Sequence, residues 1–209
     1  MLAMATDTTA TKELAEQASA TRAVFLDRDG VLNRRAAGKG YVRSWAEFEF
    51  LPGAVEALAH LCRQGALPIV VTNQRGVARG LLTADDLADI HRRMAQTLTR
   101  NGVRLGGVYV CPHEADTCAC RKPAVGLFLQ AQRDHPQVLL ADADMVGDSL
   151  SDLQAGHRLG MRVWLVGEPQ ERAQVAAEAT RRGISLSGSA GCLADLVRAG
   201  ELTGMGVAA

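Results

Sequence analysis

Short apolar runs that stop abruptly at polar loops recur along this chain, and most are followed by a stretch with helical spacing. Ala23-Val24-Phe25-Leu26 is the first such run, and it ends in Asp27-Arg28-Asp29-Gly30. Its brevity, its β-branched and aromatic content and the turn signal behind it predict a buried strand. After a loop over 34–45, Pro52 opens a predicted helix over 52–64, with Val55, Leu58, Ala59 and Leu61 as its apolar face and Gly65 as its stop. A second buried strand is expected at 67–72, ending in Asn73-Gln74-Arg75-Gly76. Thr83 followed by Asp85 and Asp86 reads as an N-cap with first-turn acids, and that helix runs to 101–102.

The alternation continues. Strands are expected at 107–110, 143–148 and 161–166, and helices at 125–134, 152–159 and 168–182. A short sixth strand is expected at 184–186 and a last helix at 192–198. Strands alternating with helices predict an α/β fold, a doubly wound parallel sheet covered on both faces. Right-handed crossovers then gather the carboxyl ends of the strands in one crevice. Asp27, Thr72, the loop at Cys111 and Asp148 each follow a strand directly, so they are expected to converge.

The chain has 209 residues, 47% of them hydrophobic, enough for one substantial core. A single domain over 22–200 is expected, with a flexible tail over 1–21 and a loose end over 201–209. The 23 basic and 23 acidic residues balance to a formal charge of zero, and aromatics are only 4%. Neither feature favours a nucleic-acid partner. No apolar run reaches the roughly 18–20 residues of a membrane span, and the first residues lack a signal-peptide core. A cytoplasmic monomer is the expectation.

Three constellations carry chemistry. Asp27 and Asp29 stand two apart, so they share a side if the extended backbone persists. Two unit charges 4 Å apart repel by about 4 kcal/mol at an effective dielectric near 20. Such a pair calls for a cation or a shared proton; Asp-Gly is also an ordinary turn dipeptide, and both readings stand at this point. Gly147-Asp148 repeats the design at a second strand end and adds a third acid suited to Mg²⁺. Asp152, four residues on, fits a helix cap. Thr72, Asn73 and Gln74 offer a hydroxyl and backbone amides to a phosphate, and Lys122 beside Arg121 offers a cation.

The third constellation is Cys111-Pro112-His113 with Cys118-Ala119-Cys120. Three thiols and an imidazole match a closed tetrahedral Zn²⁺ site, structural because no coordination position is left open. The odd total of five cysteines also argues against a disulfide framework. Cys62 and Cys192 read as buried thiols, and His60, His91, His135 and His157 as surface or packing residues. Arg34 and Arg35 read as solvated, though near enough to reach a substrate.

On these residues the chain resembles the haloacid dehalogenase-like phosphatases: Asp27-x-Asp29-Gly30, Thr72, Lys122 and Gly147-Asp148 with Asp152 match their four motifs in order. Within them it is most similar to the D-glycero-D-manno-heptose-1,7-bisphosphate 7-phosphatases and their relatives, the histidinol-phosphate phosphatases. The stretches 25–33, 71–80 and 111–123 carry that likeness, and the segment 73–80 leans toward the heptose subgroup.

The resemblance implies a Rossmann-like fold, and the short gaps between motifs leave no room for a large cap domain. It implies Mg²⁺-dependent hydrolysis of a small phosphorylated sugar. Asp27 would be the nucleophile that forms an aspartyl-phosphate, and Asp29 the acid/base. Mg²⁺ would be held by Asp27, Asp148 and Asp29 through its backbone carbonyl. Thr72, Asn73, Gln74 and Lys122 would cradle the phosphoryl group, with Arg121 reaching a distal phosphate. Two features depart from the subgroup: a short span between His113 and Cys118, and Ser149 where a basic residue is common. A zinc-stabilised binding protein without catalysis is the competing class, and phosphate release separates the two.

Overall fold

Every side chain of strand β1 (Ala23–Leu26) is buried, because this strand runs through the middle of the sheet with a parallel neighbour on each side. The structure is a computed structural model and describes residues 21–36, 38 and 40–202. The other strands are β2 (Leu67–Asn73), β3 (Gly107–Cys111), β4 (Asp144–Gly147), β5 (Arg162–Val166) and β6 (Gly188–Ala190). All pair in parallel, in the order β3-β2-β1-β4-β5-β6. The order reverses between β1 and β4, the place where open α/β sheets bind ligands.

The helices are α1 (Ala54–Arg63), α2 (Ala84–Arg100), α3 (Gly126–Asp134), α4 (Leu150–Arg158), α5 (Pro169–Arg181) and α6 (Leu193–Arg198). Strand side chains alternate between two cores. Val24, Leu26, Val70 and Val146 pack with Leu58 of α1, Ile90 of α2 and Leu196 of α6. Phe25, Ile69, Val71 and Met145 pack on the other face with Phe128 of α3, Leu153 of α4 and Ala179 of α5. The rings of Phe25 and Phe128 lie 5.2 Å apart. Burying each such side chain is worth roughly 1.5–3 kcal/mol, so the central strands are fixed from both sides. The doubly wound sheet expected from the alternation is what forms.

The sixth strand lies at Gly188–Ala190, four residues after the predicted one. Ile184 instead anchors the end of α5, its amide donating to the Ala179 carbonyl at 2.9 Å. The alternation of Ile184 and Leu186 imitates a strand, while the true ladder starts where the Ser187 amide reaches the Val163 carbonyl at 2.8 Å. Pairing with β5 overrides the weak strand propensity of Gly-Ser-Ala. Two thiols also differ from expectation. Cys62 is half-buried beside the Arg104 carbonyl, and Cys192 is half-buried at the N-cap of α6.

The predicted tails lie outside the described residues except at their inner ends. The Thr21 amide donates to the Gln137 carbonyl, and Leu202 is fully buried, so 201 and 202 pack onto the domain. Among the described residues no helix is long and apolar enough to cross a membrane.

Candidate active site

Beyond Leu26 the backbone leaves the extended form and winds around one carbonyl. The amides of Val31, Leu32 and Asn33 all donate to the Arg28 carbonyl, and Gly30 takes a φ of 89°. This tight turn separates the two acids. The Asp27 carboxylate joins Asp148 and Asp152 while that of Asp29 meets Arg28, Asn33 and Gln74, and the extended backbone on which their alignment depends ends at this turn.

Asp27, Asp148 and Asp152 each contribute a carboxylate oxygen to a group whose atoms lie within 4.8 Å of one another. Lys122, almost fully buried, reaches into it: Nζ donates to Asp27 Oδ1 at 2.8 Å and to the Val71 carbonyl at 2.7 Å. It also lies 2.7 Å from Asp152 Oδ1. Asp152 thus does two things. Its Oδ2 accepts from the Ser149 amide and hydroxyl at the start of α4, as its spacing predicts, while Oδ1 faces the lysine. Asp148 pairs with Arg35, which extends to Glu171 on α5. Arg35 is therefore part of the crevice wall and not simply solvated.

Two glycines make this crowding possible. A Cβ on Gly30 would lie 1.5 Å from Asp148 Oδ2, and one on Gly147 would lie 2.2 Å from the Asp152 Cβ. Gly30 also holds a left-handed φ that other residues rarely adopt.

The electrostatics follow from three acids against one buried lysine. Burial pushes the Asp27 carboxyl up to about 6; Lys122 pulls against this, while Asp152 and Asp29 add to it. Asp148 is raised well above the usual carboxylate range by burial, Asp27 and Asp152, against the pull of Arg35. Burial works against the charge of Lys122, but Asp152 and Asp27 outweigh it and raise its pKa above the ordinary lysine value. Asp148 Oδ2 and Asp152 Oδ1 are buried and accept no hydrogen bond; their partners are the ion-pair contacts with Arg35 and Lys122. A hard divalent cation with oxygen ligands fits this donor set.

The carboxylate of Asp29 lies outside that group, so the expected place of Asp29 among the metal ligands is limited to its backbone carbonyl. Its side chain is instead held by Arg28, by Asn33 Nδ2 at 2.9 Å and by Gln74 Nε2 at 2.8 Å. Burial would raise its pKa, but the charge of Arg28 and the bonds from Asn33, Arg28 and Gln74 outweigh it and hold the group below the usual range. Gln74 Nε2 also donates to Thr72 Oγ1 at 2.8 Å, tying two predicted residues together. Asn73 clamps the backbone of Lys122, and Arg121 keeps a buried Nη1 without a hydrogen-bond acceptor.

Cys111, His113, Cys118 and Cys120 converge as their spacing predicts, all four ligand atoms within 4.8 Å of one another. Cys118 Sγ to Cys120 Sγ and His113 Nδ1 to Cys120 Sγ are 3.2 Å apart, Cys111 Sγ to Cys118 Sγ 3.6 Å and Cys111 Sγ to His113 Nδ1 3.7 Å. Zinc bonds of about 2.3 Å to sulfur and about 2.0 Å to nitrogen give a tetrahedron with edges of about 3.5–3.8 Å. The cluster therefore fits a zinc ion with little movement. Against burial, bonds from Cys120, the Arg121 backbone and Cys111 hold the Cys118 thiol down to about 6. Glu114, within the loop, pairs with both Arg75 and Arg79 and fastens it to the segment after β2.

Sequence reading missed Arg28, Asn33 and His91 as parts of this site. A fully buried arginine in a strand-end turn has no periodic signature, and charged residues are ordinarily exposed. His91 lies on the apolar stripe of its helix, four residues after Leu87 and three before Met94, where a histidine reads as a packing residue. The Asp152–Lys122 pair was legible only as a helix cap. Among the remaining histidines, His60 meets Gln64 and His135 meets the Gly106 carbonyl.

A doubly wound sheet with two acids after β1, a threonine after β2, a buried lysine and a third acid after β4 defines a haloacid dehalogenase-like hydrolase. The family model described as HAD-hydrolase-like matches residues 119–184. The D-glycero-alpha-D-manno-heptose-1,7-bisphosphate 7-phosphatase of Mycobacterium bovis is 46% identical over 147 residues, 70% of this chain and 77% of that protein. The D-glycero-beta-D-manno-heptose-1,7-bisphosphate 7-phosphatase of Vibrio cholerae is 41% identical, over 66% of this chain and 77% of that protein. The crystal structure of D,D-heptose 1,7-bisphosphate phosphatase from B. bronchiseptica, complexed with magnesium and phosphate, superposes with a TM-score of 0.75 at 34% identity, covering 86% of this chain and 97% of that one. The chain belongs to the heptose-1,7-bisphosphate 7-phosphatases of the haloacid dehalogenase-like superfamily.

Proposed function

We propose that this chain removes the 7-phosphate of D-glycero-D-manno-heptose 1,7-bisphosphate, with Asp27 as the nucleophile. The observation that carries the reading is the environment of Asp27. One oxygen is held by buried Lys122, and the other accepts no hydrogen bond among the described residues. As that free oxygen bonds to phosphorus, the ester bond to the sugar breaks, and Asp29 gives a proton to the departing sugar oxygen. Asp29 then takes a proton from water, whose oxygen displaces the phosphoryl group from Asp27 and restores the carboxylate.

Asp27, Asp148 and the Asp29 carbonyl would hold Mg²⁺, which supplies charge neutralisation on the transferring phosphoryl group. The Thr72 hydroxyl accepts from Gln74 and keeps its own proton for a phosphoryl oxygen. Lys122 and the Asn73 amide complete that cradle. Arg121, with its unsatisfied Nη1, is suited to the distal phosphate. The zinc-loop residues Cys111, His113, Cys118 and Cys120 support the wall from which Arg121 and Lys122 project.

The test is phosphate release from the α and β anomers of the bisphosphate, with histidinol phosphate at matched concentration, each with and without Mg²⁺. Turnover of a heptose bisphosphate that vanishes in Asp27→Asn protein with unchanged folding is expected. Faster turnover of histidinol phosphate would overturn the substrate, and ordinary activity in Asp27→Asn would overturn the mechanism.

A further inference from the structure

Arg28 stands between the two acids of the site, yet neither of the steps above uses it. It has no exposed surface, and it ranks among the largest fully buried side chains in the protein. Three elements enclose it. Its guanidinium carbon lies 6.0 Å from the centroid of Phe48, a ring that stacks on Trp45 and meets Phe50 edge-on. Nη1 lies 3.0 Å from Nε2 of His91 on α2. On the third side Nε and Nη2 close on Asp29, at 3.3 and 2.9 Å to Oδ1 and 2.9 Å to Oδ2.

This geometry fixes the state of the histidine. A guanidinium has only donors, so His91 Nε2 must accept and its ring proton sits on Nδ1. His91 is therefore the neutral imidazole. Consistent with that, burial and the nearby charge of Arg28 push its pKa down to about 3, with Asp29 pulling the other way. A neutral acceptor is what this place requires, since a second cation would expel the arginine.

The same geometry constrains Asp29. With Asn33 and Gln74 added, five donor contacts fall on the two oxygens of Asp29, so a proton carried by Asp29 takes the place of one of them. Asn33 holds Oδ1 and Gln74 holds Oδ2, but only Arg28 bridges both oxygens, through Nη2, and losing it removes three of the five contacts that fix the carboxyl plane. General acid catalysis depends on that plane, because the proton must lie on the line to the leaving oxygen.

We propose that Arg28, locked between His91 and Phe48, is a positioning residue that orients Asp29 for proton transfer to the leaving oxygen, and that His91 acts in the reaction only through Arg28. This rests on the phosphatase reading above and adds to it two residues that touch neither substrate nor metal. It makes a claim that a purely structural role would not. The loss on removing His91 should depend on how much the leaving group needs a proton.

The experiment is single-turnover cleavage with enzyme in excess, which reads the first step alone. Two esters are compared: the heptose bisphosphate, whose sugar oxygen leaves poorly unless protonated, and p-nitrophenyl phosphate, whose phenolate leaves without help. His91→Leu is expected to slow sugar release by about tenfold or more, within the range that acid catalysis supplies, and nitrophenol release by less than about threefold. His91→Gln, which keeps an acceptor for Arg28, should recover most of the sugar rate. Arg28→Lys keeps the charge without the fork and should show the same selective loss, so the comparison survives if His91→Leu does not fold. Equal losses on both esters, or no loss on the sugar ester, would overturn the inference. Wild-type protein inert toward both esters would overturn the phosphatase reading, and this inference with it.

Discussion

Asn73, the last residue of β2, and Lys122, in the loop before α3, hold each other by a closed pair of hydrogen bonds. Asn73 Nδ2 donates to the Lys122 carbonyl at 3.1 Å, and the Lys122 amide donates to Asn73 Oδ1 at 3.0 Å. The side chain of Asn73 thus replaces a ladder partner for the backbone of Lys122, and the ammonium of Lys122 is aimed at Asp27 as a consequence. Asn73→Ala removes both bonds. Activity should fall by about tenfold or more, a geometric effect on the catalytic group, while unfolding stability falls by roughly 1–3 kcal/mol. Steady-state kinetics and urea denaturation on the same preparations check the two numbers.

Gly30→Ala would drive a methyl group into Asp148 Oδ2 and impose a positive φ on alanine. The expected outcome is loss of Mg²⁺ binding by calorimetry together with loss of turnover, in a protein whose far-UV circular dichroism is unchanged. Retained magnesium affinity would show that Asp148 is not a ligand.

Zinc should be present at one equivalent by elemental analysis. Cys118→Ser or prolonged chelation is expected to lower the thermal midpoint and to reduce activity, because the loop ends two residues before Lys122. Glu114→Gln should separate those effects. It breaks two exposed ion pairs that solvent screens, so stability should hold while KM rises through the freed Arg75 and Arg79.

His91 gives the fold a pH dependence with a definite sign. Its folded pKa of about 3 lies below the unfolded value of 6.5. Both states are neutral above 6.5, and stability is then complete. As pH falls from 6.5 toward 3, the unfolded chain binds the proton first, and stability drops by up to about 1.4 kcal/mol per pH unit. Urea midpoints between pH 7 and 4 should fall more steeply in the wild type than in His91→Gln.

The sequence carried most of this architecture because its strands are buried on both faces and read as short apolar runs. The cluster of Cys111, His113, Cys118 and Cys120 was legible for another reason: a local cluster needs no tertiary knowledge to be recognised. What sequence could not show are contacts made across loops. Arg28 meets His91 only because α2 packs beside the turn after β1, and Arg35 meets Asp148 only because that turn folds toward β4. The strand at Gly188–Ala190 was missed since its residues have little preference of their own and are recruited by β5.

The zinc loop has a consequence for how this protein can change. Its shape is set by four ligands at fixed places, and Glu114–Thr117 between them is not required to fill a core. That stretch joins neither core and reaches Arg75 and Arg79 through Glu114, so it is uncoupled from the residues that keep the domain folded. The middle of the loop can therefore be exchanged with the four-residue cluster and the central sheet left untouched.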